Sequence, residues 1–349
     1  VQANGYNALA GDATFANGLI GKLVIDGEAD VRFFGAIEST TIDSTAAFLE
    51  ASTRSGSILA VGNYAVNNLV FARSIISLRG YGTLATNLWI LNATGAGIQF
   101  GADTINATSG SIKDLTINYS GDKTSGASLL INNYSDFDVD NIDIRNSYDG
   151  VVVSGGRNIR LNKMRLFNGG RTVQGNNGLS IVYNSTTTGK KTPTSIFLSQ
   201  VDIESRASSG FVSFENAYYM DSSDGIWMSD CHGFVCNNVL TVNPTTTTGN
   251  FFVGLWCSQC YFDRCYINNL KISGDAVKYE DLSFVNCQLR APANSNVLFD
   301  NTAIVKQVSF TGGTSFKGSG QSAFDCDSSG GVENLTIDSS NFSLTQEDS

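Results

Sequence analysis

Residues 207–263 combine acidic and aromatic side chains and contain neither Lys nor Arg. The acids of this stretch are Glu215, Asp221, Asp224, Asp230 and Asp263. Aromatic rings can cover the apolar C–H faces of pyranose sugars. Glycosidic cleavage needs two carboxyl groups, one to protonate the leaving oxygen and one to activate water or attack. The residue types of this stretch therefore predict sugar binding with hydrolysis.

Individual roles follow from the same chemistry. Acids crowded together without a cation raise one another's pKa, which keeps a proton available near neutrality. The predicted catalytic residues are Glu215, Asp221 and Asp224, with Glu204 and Asp230 in reserve. The predicted sugar-binding residues are Trp227, Trp256, Tyr218 and Tyr219. Strand alternation turns part of the aromatic set inward, and we expect Phe211, Phe251 and Phe262 there. His232, the only histidine, is expected at a turn or on the surface.

The elements that carry these residues are indicated by a recurring pattern: apolar, two polar-tolerant positions, apolar, any residue, apolar. Its alternating end is typical of a strand with one buried face. Copies recurring within about 20–50 residues indicate a solenoid whose units bury their apolar sides against neighbours. The pattern predicts an all-β, right-handed, single-stranded parallel β-helix. Its eight copies are 112–117, 139–144, 161–166, 198–203, 262–267, 279–284, 305–310 and 332–337.

A short helix is predicted before the repeats. Asp43 is a suitable N-cap for a helix that runs to about Thr53, with Ala47, Phe48 and Ala51 on its apolar face. Such a helix would close the open end of the solenoid and cover the unpaired edge of its first coil.

Composition limits the function classes. A hydrophobic fraction of 42% with 15% charged residues is typical of an ordered globular protein. The net charge of −10 argues against nucleic acid as a partner, because no basic stripe is available to meet phosphates. Membrane insertion is not expected, because no run approaches about 18 apolar residues. The 36 glycines and 3 prolines fit many tight turns between intact strand ladders.

The seven cysteines are expected to be reduced and packed in the solenoid core. A zinc site built from Cys231, Cys236, Cys257 and Cys260 is the minor alternative, because strand alternation turns neighbouring residues to opposite faces. No cofactor and no metal is assigned.

The amino-terminal region resembles a known family. Its motifs are Asp30-Val31-Arg32-Phe33-Phe34-Gly35-Ala36, then Asp43-Ser44-Thr45-Ala46-Ala47-Phe48, Gly62-Asn63-Tyr64 and Leu78-Arg79-Gly80-Tyr81-Gly82-Thr83. This series resembles the opening of pectate-lyase-superfamily β-helices, as found in bacteriophage tailspikes and capsular depolymerases. The resemblance implies a homotrimer on the virion tail, made in the host cytoplasm, that binds and cuts bacterial surface polysaccharide. It also implies attachment to a phage baseplate or adaptor through a region outside this chain.

The expected domain organisation has three parts. Residues 1–29 are a leading segment or linker, 30–90 are the cap and first coils, and 91–349 are the β-helix with the glycan site.

Two functional alternatives stay open. A polysaccharide lyase needs a cation beside the uronate carboxylate, and 207–263 would have to recruit calcium for it. A non-catalytic adhesin would hold the glycan without cutting it.

Overall fold

The computed structural model describes Ala13–Thr14, Ile20–Gly21 and residues 25–343, with gaps at 105–106, 120, 122, 169–174, 188–190, 206–213, 245–251, 275–277, 291, 301–303, 319–321, 327–330 and 339–340. The predicted linker at 1–29 therefore lies mostly outside the described residues. No described helix is long and apolar enough to cross a membrane.

The described chain is mainly strand. The strands, in chain order, are β1 Ala13–Thr14, β2 Ile20–Gly21, β3 Ala29–Asp30, β4 Ser39–Asp43, β5 Ser57–Leu59, β6 Gly62–Val66, β7 Leu69–Phe71, β8 Ile75–Arg79, β9 Thr86–Ile90, β10 Ile98–Phe100, β11 Ser109–Tyr119, β12 Ala127–Asn132, β13 Ser135–Arg145, β14 Asp149–Ser154, β15 Arg157–Asn168, β16 Gly175–Val182, β17 Thr194–Ser205, β18 Phe214–Met220, β19 Asp224–Ser229, β20 His232–Phe234, β21 Asn238–Val242, β22 Phe252–Ser258, β23 Tyr261–Asp263, β24 Asn268–Ile272, β25 Lys278–Val285, β26 Gln288–Arg290, β27 Ser295–Phe299, β28 Ile304–Thr311, β29 Ser315–Lys317, β30 Ser322–Cys326, β31 Gly331–Ile337 and β32 Asn341–Ser343. A 3-10 helix spans Val31–Phe34 and the helix α1 spans Thr45–Arg54.

The strands stack as a parallel β-helix, which confirms the predicted fold class. From β3 onward, the described strand pairings are parallel and join successive coils. Face A comprises β3, β5, β8, the first halves of β11, β13, β15 and β17, and then β19, β22, β25, β28 and β31. Face B comprises β4, β6, β9, the second halves of the same four long strands, and then β20, β23, β26, β29 and β32. Face C is the ten-stranded sheet from β7 to β30.

The predicted cap is present. Helix α1 buries Ala47, Phe48 and Ala51, and the Phe48 ring contacts Tyr64 at a centroid distance of 5.7 Å. The predicted N-cap is one residue early: Ser44 is the N-cap, while the Asp43 carboxylate accepts a hydrogen bond from the Thr45 N–H at 2.9 Å.

A left-handed residue separates face A from face B in most central coils. Asn141, Lys163 and Gln200 have φ of 54°, 50° and 55°, and Asp230 and Gln259 continue the series at 51° and 55°. In the early copies of the repeat pattern this residue is the second polar-tolerant position. A polar residue is favoured there because β-branched and bulky residues are strained at positive φ. We call this line of residues the bend.

The eight copies of the pattern do not occupy one structural position. The first residue of the fourth copy, Leu198, pairs with Met228, then Cys257, then Phe284. Phe284 is the last residue of its own copy, so copies 279–284, 305–310 and 332–337 lie on face A. Period-two alternation is common to both faces, so the pattern alone did not distinguish them.

Six of the seven cysteines are buried, as predicted, whereas Cys326 is exposed. Cys231, Cys260 and Cys287 follow the bend in successive coils, where Met164 and Val201 stand earlier in the chain. Burial raises the pKa of the Cys236 and Cys265 thiols, which therefore stay protonated. Among the described residues, no group of three or more His, Cys, Asp or Glu side chains is arranged to hold a metal ion.

The bend yields a stability prediction. Lys163 is exposed with φ of 50°, and glycine adopts this conformation without a Cβ penalty. We expect Lys163→Gly to raise the free energy of unfolding by about 0.5–1 kcal/mol. Lys113→Gly, at an extended position of an earlier coil, is the control and should destabilise by about the same amount. Equal effects of the two substitutions in thermal unfolding would contradict the account.

Candidate functional site

Three aromatic rings from successive coils stack on the outside of face A. Phe197, Trp227 and Trp256 are in register on β17, β19 and β22. The Phe197 and Trp227 ring centroids are 4.9 Å apart with planes 14° apart, and those of Trp227 and Trp256 are 4.9 Å apart with planes 18° apart. Phe197 and Trp227 are each 38% exposed, and Trp256 is half-buried. We call these three rings the shelf.

Two glycines give the indoles room to lie over the strands. A Cβ on Gly225 would be 2.7 Å from the Trp227 ring, and one on Gly254 would be 2.6 Å from the Trp256 ring. Each glycine precedes its tryptophan by two residues and so shares its face. The Trp256 Nε1 donates to the Asp281 carboxylate at 3.0 Å, which fixes the last ring of the shelf.

The shelf forms one wall of a groove that runs along the β-helix axis. Beside it lies a depression of about 380 Å³ whose floor includes Ser199, Ser229 and Ser258, which are in register. A second depression of about 330 Å³ adjoins it through Phe197 and Ser199 and brings in charged residues, including Asp138 and Arg160. We call the two together groove A. It combines apolar ring surface with hydroxyl groups, as a sugar chain requires.

Ionisable side chains cluster on face B, just across the bend from the shelf. The Asp202 carboxylate is 2.9 Å from His232 Nδ1, and the Glu204 carboxylate is 3.6 Å from the Arg165 guanidinium. Asp202 and Glu204 are two residues apart on β17 and therefore share the outer side of this face. Tyr261 is in register with His232 on the next coil. We call these five residues the face B cluster.

The two carboxylates of the cluster have different surroundings. Burial raises the pKa of Asp202, and the nearby Glu204 raises it further, whereas His232 and Arg165 act in the opposite direction. Glu204 has the Arg165 guanidinium as its ion-pair partner. Carboxyl groups whose environments differ in this way can divide the roles of acid and base.

Tyr261 carries further polar contacts. Its hydroxyl accepts a hydrogen bond from Arg290 Nη1 at 2.7 Å, and Arg264 pairs with Asp263 at 3.0 Å. The prediction of a cation-free site is therefore wrong for face B. The stretch 207–263 itself has no cation, but stacking brings Arg290 from the next coil to Tyr261. Arg165, from the preceding coil, pairs with Glu204 just before the stretch.

The three main catalytic candidates do not form one site. Glu215 lies near the start of β18, where its carboxylate accepts from Asn237 Nδ2 at 2.6 Å. Asp221 follows the end of β18, six residues later, which places it roughly 20 Å away along an extended strand. Asp224 is exposed at the start of β19, at the corner between faces C and A and three residues before Trp227. Of the reserves, Asp230 is exposed on the bend and Glu204 belongs to the face B cluster.

The aromatic candidates also divide. Trp227 and Trp256 point outward on the shelf, and their sugar-binding role stays a prediction. Tyr218 is fully buried, with its hydroxyl donating to the Val201 and His232 carbonyls, so the prediction that it contacts sugar is wrong. Tyr219 is half-buried and lies on the outer side of face C. Phe262 is in the core as predicted, while Phe211 and Phe251 fall outside the described residues.

Sequence reasoning missed Asp202 and underestimated His232. His232 lies on β20, on the surface as predicted but within a strand rather than a turn. Asp202 occupies the fifth position of the pattern in copy 198–203. The three preceding copies carry Thr116, Asp143 and Arg165 at this position. Only the register between coils distinguishes Asp202 from those residues, and register was not available from the sequence.

Comparison with known proteins addresses the fold. No family model and no curated protein matches this chain. Among solved structures, the enzymatically active domain of bacteriophage CBA120 tailspike protein 2 matches with a TM-score of 0.67 and 11% identity, over 92% of this chain and 49% of that chain. Geobacillus virus E2 ORF18 matches with a TM-score of 0.62 and 16% identity, over 90% and 61%. PfbA, a surface adhesin of Streptococcus pneumoniae, matches at 0.58 and 12%, over 90% and 91%.

The chain shares the parallel β-helix fold with these structures. It spans about half to three fifths of the length of the two phage structures. Identities of 11–16% support likeness of fold and carry no residue roles.

Asp221 yields a test of its buried carboxyl. Burial raises its pKa to about 6, although its carboxylate accepts a hydrogen bond from the Tyr183 N–H at 2.8 Å. A raised pKa means that the folded state holds the proton more tightly, so stability is lost as pH rises from about 4 through 6. Asp221→Asn removes this loss and should raise the free energy of unfolding above pH 7 by about 2–3 kcal/mol.

Thermal unfolding at several pH values checks this effect. The melting temperatures of wild type and Asp221→Asn should converge below about pH 4, where the Asp221 carboxyl is protonated in the folded state and increasingly so in the unfolded state. Asp138→Asn, at a side chain that is 43% exposed and paired with Arg160, is the matched substitution control. A constant difference between wild type and Asp221→Asn at all pH values would contradict the raised pKa.

Proposed function

We propose that the protein is a phage tailspike receptor-binding protein that binds a bacterial surface polysaccharide and depolymerises it by endo-glycosidic hydrolysis. The observation that carries the proposal is the juxtaposition of the shelf with the carboxylate pair Asp202 and Glu204, which lies across the bend on β17, the strand that also carries Phe197. The fold likeness to phage tailspikes supports the setting. The substrate is a capsule, exopolysaccharide or O-antigen chain.

The shelf supplies binding. Stacked rings offer apolar surface to pyranose C–H faces, and the serine floor of groove A offers hydroxyls to the sugar hydroxyls. Trp227 and His232 are five residues apart across the bend, roughly 15 Å of chain. A polysaccharide segment that stacks on the shelf and crosses the bend therefore reaches the face B cluster within a few sugar units.

The carboxylate pair supplies the chemistry. Asp202 donates its proton to the glycosidic oxygen as the bond to the anomeric carbon breaks. Glu204 either takes a proton from the attacking water, or attacks the anomeric carbon to form a glycosyl ester that water then cleaves with Asp202 as the base. His232 holds Asp202 in place through the 2.9 Å contact, and the Arg165 guanidinium lies 3.6 Å from the Glu204 carboxylate as its ion-pair partner. Each group has the environment that its role needs.

The sequence-predicted acids remain in the proposal as a second location. Asp221, with its raised pKa, and Asp224 flank the turn that leads into Trp227. They could serve as acid and base for a glycan that enters groove A from face C. Glu215 lies at the far end of β18 and would act only with a different partner.

A lyase reaction is the second candidate, and the arginines favour it. In β-elimination a base removes the proton beside a uronate carboxylate while a cation neutralises that carboxylate. His232 or Tyr261 could be the base, with Arg165 or Arg290 as the cation, so calcium is not required. Products separate the two reactions. New reducing ends without ultraviolet absorbance of an unsaturated uronate indicate hydrolysis, and that absorbance indicates a lyase.

The assembly is part of the same proposal. We propose a homotrimer on the virion tail, joined to the baseplate or an adaptor through a region outside this chain. Light scattering coupled to gel filtration should give three times the mass of one chain.

A protein that binds the polysaccharide but leaves its length unchanged would instead be an adhesin.

The catalytic pair yields the first prediction of function. Asp202→Asn and Glu204→Gln should each lower kcat on the cleaved polysaccharide by about 10²–10⁴-fold, because each removes a proton-transfer group or nucleophile. Asp136→Asn, at an exposed carboxyl of an earlier coil, should leave kcat unchanged. If both cluster variants stay active while Asp221→Asn or Asp224→Asn loses activity, the catalytic residues lie at the corner before Trp227 and the proposed pair is wrong.

The shelf yields a second prediction. Trp227→Ala and Trp256→Ala should raise KM by about two- to tenfold each and change kcat little, because an aromatic contact is worth roughly 0.5–1.5 kcal/mol. Phe33→Ala removes a ring that is 63% exposed on the cap and serves as control. Unchanged KM in both tryptophan variants would exclude the shelf as the binding surface.

A further inference from the structure

Face C carries a separate depression of about 410 Å³, away from groove A and the face B cluster. Its lining includes Asp149, Val152, Asn177, Ser180, Asn216 and Tyr219. We call it groove C. Nothing in the proposed function uses it.

The shape of groove C follows from side-chain size in one register row. Val152, Ser180 and Tyr219 are paired across β14, β16 and β18 and point to the outside of face C. The small Ser180 between two larger neighbours leaves a notch two strand spacings wide, roughly 10 Å. One end of the notch is an aromatic ring and the other is an aliphatic side chain.

The polar side of groove C is held in place by hydrogen bonds. Asn216 Nδ2 donates to Asn177 Oδ1 at 2.8 Å, and Thr241 Oγ1 donates to Asn216 Oδ1 at 2.6 Å. The Asp149 carboxylate accepts from Asn176 Nδ2 at 3.0 Å and from the Asn177 N–H at 3.1 Å. These bonds orient the amides before any ligand arrives, which lowers the entropic cost of binding.

One buried polar group in groove C lacks a partner. Ser180 is 3% exposed, and its hydroxyl makes no hydrogen bond to any described residue. A buried hydroxyl without a partner costs about 1–3 kcal/mol. A ligand hydroxyl seated on the floor of the notch would supply the missing bond.

Charge restricts the ligand class. The lining includes the Asp149 carboxyl and contains no Lys or Arg. Burial raises the pKa of Tyr219, and the nearby Asp221 raises it further. The surroundings of the groove are therefore acidic. A uronate or phosphate would be repelled. An uncharged ring with one apolar face and several hydroxyls fits the aromatic wall and the amides.

We infer that groove C is a non-catalytic binding site for a neutral pyranose residue. The apolar face of the sugar lies against Tyr219, and its hydroxyls meet Ser180 and the Asn177 amide. The inference goes beyond the proposed function, because it needs neither the shelf nor cleavage. A second attachment point on the same coils would increase the avidity for a polymer without any new contact at the cleavage site.

Saturation-transfer NMR on the full chain tests the inference. The probes are the methyl glycosides of D-glucose, D-galactose, D-mannose and N-acetyl-D-glucosamine, with methyl D-glucuronoside as the charged control. At least one neutral glycoside should bind at millimolar concentration, and the glucuronoside should not. Tyr219→Ala removes the aromatic wall, and Ser180→Val fills the notch. Tyr219→Ala should weaken binding by about two- to tenfold, and Ser180→Val by about tenfold or more.

Trp227→Ala is the matched control, because it removes an aromatic wall from groove A alone, and binding of the neutral glycoside should survive it. Thermal unfolding establishes whether each variant is folded. If Tyr219→Ala does not fold, the test is made with Ser180→Val alone. The inference is overturned if no neutral glycoside binds, if binding survives both groove C substitutions, or if Trp227→Ala abolishes it.

Discussion

In-register parallel stacking of the coils is the constraint on which the rest of the structure depends. Adjacent strands lie about 4.8 Å apart, so residues one coil apart in sequence become lateral neighbours. Every outer surface is therefore a set of rows, each built from one residue per coil. The Phe197, Trp227 and Trp256 rings stack because they occupy one such row, and their 4.9 Å spacing is close to that of the strands beneath them.

The sequence was sufficient to predict what depends on local alternation. Repeated period-two segments predicted the parallel β-helix, the buried cysteines and the outward tryptophans, because burial of one strand face is a local property. Register between coils is not local. Arg290 reaches Tyr261 of the acidic stretch from the next coil, and Arg165 reaches Glu204 from the preceding coil, so the cation-free prediction is wrong for face B. Tyr218 and Tyr219 are adjacent in sequence, and only the observed facing of β18 assigns Tyr218 to the core.

Under the proposed function, the same architecture places sugar binding and bond cleavage on different faces. Groove A offers rings and hydroxyls on face A, while the face B cluster gathers ionisable groups beyond the bend. Both sit on strands whose backbones are fixed by pairing on either side, so the side chains are positioned before the substrate arrives. The positions of the two indole rings also depend on single neighbouring residues. The absence of a Cβ at Gly225 and at Gly254 leaves room for Trp227 and Trp256 to lie over their strands.

The most direct measurement of the central claim is an experimental structure of Glu204→Gln with an oligosaccharide of the bound polysaccharide. The account predicts sugar rings against Trp227 and Trp256, with the chain crossing the bend so that one glycosidic oxygen lies within hydrogen-bonding distance of Asp202. An oligosaccharide that leaves both the shelf and Asp202 uncovered, while the wild-type protein cleaves the polymer, would contradict it.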